Sequence, residues 1–138
     1  MAESSGFSIP DPPEFIPDWA SEAAVEWAGL DDFSILARAE ERTGRQIDLR
    51  FAPLPYDTWG FHILRGRRAG IFINRRLPER WKRFALFHEL YHLLEHRGGE
   101  TFWERTAMPM SSFERQADLF AWATALKEWD ECWEESSV

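Results

Sequence analysis

Arg83-Phe84-Ala85-Leu86-Phe87-His88-Glu89-Leu90-Tyr91-His92-Leu93-Leu94 carries two histidines four residues apart with a glutamate directly after the first. The residues around them favour a helix with an apolar face (Phe84, Phe87, Tyr91, Leu94). On such a helix His88 and His92 stand one turn apart on the same side, so both imidazoles can reach one metal ion. Glu89 is rotated by about 100° from His88, close enough to reach a water at that metal without ligating the metal itself. Two neutral nitrogens hold a cation and one carboxylate takes a proton, a division of labour suited to metal-assisted hydrolysis. Pro78 and Glu79 suit the first turn of this helix, and Gly98-Gly99 suit its end.

A catalytic zinc takes three protein ligands and leaves the fourth position to water. The chain has four histidines, and none follows His96. His88, His92 and His96 would span about 12 Å on one straight helix, too far for a single ion. Glu95 and Gly98 stand where the metzincin pattern wants glycine and histidine. His62, in an expected strand upstream, stays open as an alternative. The leading candidate is Glu114, in Ser111-Ser112-Phe113-Glu114-Arg115-Gln116-Ala117-Asp118, where Glu114 and Asp118 share one face of a second helix. Asp118 would then accept the free N–H of a liganding histidine. Ala117, Ala121, Ala123 and Ala125 would let this helix come close to the first. Ser111-x-x-Glu114 is also a capping box, which gives Glu114 a purely local alternative role. Glu100 and Glu104 are reserves, in what reads as a connecting loop.

The chain resembles the ImmA/IrrE-like metallopeptidase family over roughly Ile35 to Leu126. The resemblance is carried in order by Ile35-Leu36-Ala37-Arg38, a strand at Ile47–Phe51, Trp59-Gly60-Phe61-His62 and Gly70-Ile71-Phe72-Ile73-Asn74. It continues through Arg83-Phe84-Ala85-Leu86-Phe87-His88-Glu89-Leu90-Tyr91-His92 and Glu114-Arg115-Gln116-Ala117-Asp118-Leu119-Phe120-Ala121. It implies one zinc per chain held by His88, His92 and Glu114, with Glu89 as general base and His96 outside the ligand set. It also implies that the substrate is a specific transcriptional repressor, a separate and basic helix-turn-helix protein, so that cleavage switches a stress response or a mobile element. Tyr91 stands where the family often has glycine, and Asp118 where it often has asparagine. The helix after Ala121 lacks the family's usual ending.

With 138 residues the chain reads as one domain over 21–138 behind an extended proline-rich arm at 1–20 (Pro10, Pro12, Pro13, Pro17). A single cysteine, Cys132, excludes an intramolecular disulfide. No apolar run is long enough to span a bilayer and no signal segment is visible, so a cytoplasmic protein is expected. The net charge of −8 speaks against direct nucleic-acid binding and suits a basic protein partner. Basic residues gather between Arg65 and Arg83, acidic ones from Glu128 to Glu135. Trp122, Trp129 and Trp133 form one helical stripe, read as core packing or a self-association seam.

The expected fold is α+β and zincin-like. A helix from Ser21 to Thr43, broken near Gly29-Leu30-Asp31, precedes three short strands (Ile47–Phe51, Thr58–Leu64, Ala69–Asn74) and two ligand-bearing helices packed together. Arg65-Gly66-Arg67-Arg68 would turn the second strand into the third. The expected activity is zinc-dependent endopeptidase cleavage, with an extended substrate added as a strand beside Ile71–Asn74 or its neighbour. Tyr91, His62 and Tyr56 are the candidates to stabilise the oxyanion. The alternative is a non-catalytic protein that sequesters a repressor or toxin and uses zinc only structurally. Trp103 and Met108–Met110 would form a lid over the cleft.

Overall fold

The computed structural model describes residues 9–55, 58–95, 102–106 and 115–136, with backbone alone at 102–106 and 131–136. The first helix, α1, runs Asp18–Trp27, and α2 runs Asp32–Thr43. The expected break falls between them. Gly29 adopts φ 84°, a left-handed conformation that stops α1. Asp31 then caps α2, its carboxylate accepting from the Ser34 N–H at 2.7 Å. Gly44, at φ 71°, closes α2.

Three strands follow as expected: β1 (Gln46–Ala52), β2 (Gly60–Arg65) and β3 (Arg68–Asn74). Gly66 at φ 58° makes the β2–β3 turn, and Arg65 pairs with Arg68. A fourth strand, β4 (Phe102–Thr106), occupies the segment expected to be a loop, and so places Glu104 and Trp103 in a sheet. The order is β1-β3-β2-β4, with β1 parallel to β3 and the other pairs antiparallel. β3 is therefore hydrogen-bonded on both sides. An incoming strand cannot pair with Ile71–Asn74, and the outer strands are β1 and β4.

Alternation gives the sheet one core face, where Gly60, His62 and Leu64 lie with Ala69, Ile71 and Ile73. Asn74 ends β3 fully buried. Its side chain donates to the Leu54 and Thr58 carbonyls and accepts from the Arg76 N–H, pinning the loop that leads into β2.

The long helix α3 (Glu79–Glu95) lies on that core face. Every residue from Phe84 to Leu90 is buried, because the sheet, α2 and the last helix, α4 (Arg115–Ser136), surround it. The alanines of α4 serve two neighbours. Ala121 and Ala125 join the main core, while Ala123 packs on Ala20 and Ala24 of α1. Arg83 ties the elements together. Its guanidinium bonds Asp32, the Leu30 carbonyl and Glu128, and Glu128 also accepts from the Gly29 N–H. Arg83 and Glu128 are thus spent internally rather than solvated with the charge runs they belong to. No helix of the described residues is long and apolar enough to cross a membrane.

Candidate metal centre

His88, Glu89 and Asp118 have no exposed surface, and neither does His62. Buried polar groups of this kind persist only when they satisfy one another. The His88 Nδ1 lies 2.6 Å from Asp118 Oδ1, across the α3–α4 contact. An ionised carboxylate only accepts, so the ring's proton sits on Nδ1 and the lone pair on Nε2. That Nε2 stands 3.3 Å from His92 Nε2. Two imidazole nitrogens on a tetrahedral zinc, each about 2.0–2.1 Å from it, are separated by about 3.3 Å. The spacing of the pair therefore matches two ligands of one metal ion, and Asp118 sits on the opposite ring nitrogen of His88.

Glu89 points the other way, toward the sheet. Its Oε1 lies 2.5 Å from Nδ1 of His62 on β2, and the His62 ring stacks on His92 with centroids 4.9 Å apart and planes 20° apart. A Cβ added at Gly60 would lie 3.6 Å from Glu89 Cγ and 2.8 Å from the Phe72 carbonyl oxygen. The close approach to the Phe72 carbonyl of β3 is what requires glycine there, while the distance to Glu89 is ordinary van der Waals contact. The strand register sets Glu104 of β4 opposite His62.

Tyr91, on the α4 side of α3, donates its hydroxyl to Gln116 at 3.2 Å and rests on Phe120 and Trp19. Burial first, and then Glu95, push its phenol above the usual value. Glu114, Tyr56, His96 and Met108–Met110 lie outside the described residues. Among the described residues, no group of three His, Cys, Asp or Glu side chains forms a complete metal cage.

The structure brings together His88, His92, Glu89, Asp118 and His62, and it sets the Tyr91 hydroxyl on Gln116 at the α4 side, with its ring 6.4 Å from that of His92. The His62–Glu89 bond was not anticipated. The strand alternation around Gly60-Phe61-His62-Ile63-Leu64 does place His62 on the core-facing side, and a histidine there needs a buried partner.

A family profile, Peptidase_M78 (IrrE N-terminal-like domain), matches residues 43–130. The chain belongs to that family. The match extends from β1 through most of α4 and so includes every residue of the polar cluster. The assignment is to a peptidase family and agrees with the ImmA/IrrE resemblance read from the sequence. No curated protein and no solved structure matches the chain.

Proposed function

We propose that this chain is a zinc-dependent endopeptidase whose metal is held by His88, His92 and Glu114 and whose general base is Glu89. The observation that carries the reading is the pair of Nε2 atoms 3.3 Å apart, one of them backed by Asp118. The peptidase family supports it. Bound there, zinc would lower the pKa of a coordinated water toward about 7 and polarise the scissile carbonyl. Asp118 keeps the His88 proton on Nδ1, so that Nε2 would be the ligating nitrogen. Glu89 takes a proton from the attacking water and returns it to the leaving amine. An extended substrate segment pairs with β4, the outer strand beside β2 and His62. Its source is a basic helix-turn-helix repressor in the cytoplasm, drawn by the chain's excess of acidic groups, net charge −8.

Elemental analysis of wild type, His88→Ala and Glu114→Ala, beside mass-spectrometric scoring of a proteome-derived peptide library, tests this. About one zinc per chain, lost in both variants, together with zinc-dependent turnover, is the expected result. Zinc retained in Glu114→Ala returns that glutamate to helix capping. Stoichiometric capture of a repressor without cleavage favours sequestration.

A further inference from the structure

The catalytic carboxylate of this reading is not left to find its own orientation. Glu89 and His62 are both buried, with side-chain exposures of 0% and 1%, and their atoms meet at 2.5 Å. A carboxylate accepts, and with Glu89 in that role His62 Nδ1 is the donor. The donor itself is fixed from two sides. Its ring lies on His92 at 4.9 Å, nearly parallel, and its backbone belongs to β2, which is hydrogen-bonded to β3 on one edge and β4 on the other. The Gly60 backbone adds a wall beside the Glu89 methylenes.

A glutamate has three side-chain torsions, and an unrestrained one would swing its carboxylate through many positions near a metal. Tying Oε1 to a strand-borne N–H removes that freedom and so fixes the arc that Oε2 can reach. We infer that His62 is a positioning residue for Glu89, holding one carboxylate oxygen so that the other meets the substrate water in a fixed direction. This role rests on the peptidase reading, and it differs from ligation or oxyanion stabilisation, because His62 acts through Glu89. A base held within hydrogen-bond reach of its proton is the geometric requirement for general-base catalysis. Groups that orient a site from behind are worth about 10–100-fold in activity.

Two substitutions separate the donor from the ring. His62→Phe keeps a ring to stack on His92 and removes the N–H. His62→Asn gives up the ring but places an amide N–H near the Nδ1 position. In zinc-loaded protein, with the peptides cleaved from the library as substrate, His62→Phe should lose about 10–100-fold in kcat with KM unchanged. His62→Asn should recover most of that loss, and both variants should keep one zinc. Nitrogen-15 spectra of the histidine rings read the bond without any substrate. His62 should carry its proton on Nδ1 in zinc-loaded wild type and shift toward the Nε2–H tautomer in Glu89→Ala. Wild-type kcat in His62→Phe, or an Nε2–H ring in wild type, overturns the inference. Loss of zinc in His62→Phe does so too, by making His62 a ligand. Should His62→Phe fail to fold, the tautomer and the His62→Asn kinetics still decide. If zinc-bound wild type cleaves no peptide, the peptidase reading is what falls, and the tautomer still reports whether the bond exists.

Discussion

The antiparallel pair α3 and α4 is apolar at one end and polar at the other. Toward the start of α3, Trp81 and Phe84 meet Trp122 and Trp129 edge to face, with centroids 5.1–6.1 Å apart, and Trp59 of the loop before β2 closes the cluster. Arg80 covers Trp129 at 4.4 Å. One to two turns later the same two helices carry His88, Glu89 and Asp118, fully buried, and the partly buried His92. Aromatic packing of the first kind stabilises a fold through area removed from water and through ring geometry. Buried ionisable groups at best break even, because desolvation opposes their mutual attraction. One end therefore holds the helices together, and the other uses that rigidity to keep ionisable groups where the fold alone would not favour them.

The widest separation between the two ends should come from Glu89→Gln. The amide retains the volume and a hydrogen bond to His62 but cannot take a proton. Cleavage should fall by about 100- to 10,000-fold while zinc stays bound. The thermal midpoint should hold or rise, since a buried charge has gone. Full activity in this variant would remove Glu89 from the mechanism, and a large loss of stability would contradict the contrast between the ends.

Trp122→Ala tests the opposite end. Removing a fully buried indole should cost about 3–5 kcal/mol by denaturant titration. Among the described residues the Trp122 Nε1 has no hydrogen-bond partner. Trp122→Phe should therefore cost much less than the alanine, because it removes an unsatisfied N–H along with part of the ring. Zinc affinity measured on folded Trp122→Phe should match wild type.

Asp118→Asn separates orientation from ligation. The amide can face His88 with its oxygen and accept the Nδ1 proton, but without charge. Zinc affinity by chelator competition should weaken by about 10–100-fold, well short of the loss in His88→Ala. Equal losses in the two variants would make Asp118 more than an outer-sphere partner.

The aromatic end and the polar end were legible in the sequence to different degrees. H-E-x-x-H on a helix follows from residue spacing alone, and Asp118 could be assigned because its helix and its partner helix were both evident. The hairpin at Gly66 was marked by its turn residues, and the break before α2 by Gly29 and Asp31. β4 was missed because Phe102-Trp103-Glu104-Arg105-Thr106 is short, carries little strand patterning, and becomes a strand through pairing with β2. The His62–Glu89 bond joins residues 27 apart, and no local pattern reports a contact made across a sheet and a helix. Of the two places expected for a substrate strand, Ile71–Asn74 is closed by pairing on both sides, while its neighbour β1 is an outer strand. Strand order is a tertiary property, and β3 proved to be an inner strand.

Tyr91 should give the smallest effect and bears on where the polar end stops. Its hydroxyl is committed to Gln116 on the α4 side, so Tyr91→Phe removes one partly exposed hydrogen bond. Zinc binding and cleavage should stay close to wild type. A 100-fold fall in kcat would instead assign this hydroxyl to the oxyanion. The phenol offers a second readout. Burial, helped by Glu95, favours its neutral form in the fold, so its folded pKa lies above the ordinary 10.0. A raised pKa on an acid stabilises the fold below the unfolded value, and that contribution is lost as pH rises through the folded one. The alkaline window, above about pH 10, is therefore where wild type and Tyr91→Phe should differ. Ultraviolet difference titration of the two proteins isolates Tyr91 from Tyr56, and its midpoint should fall when the chain is unfolded in denaturant. A midpoint unchanged by unfolding would mean that the Tyr91 side chain is solvated, and that the polar cluster ends at His92.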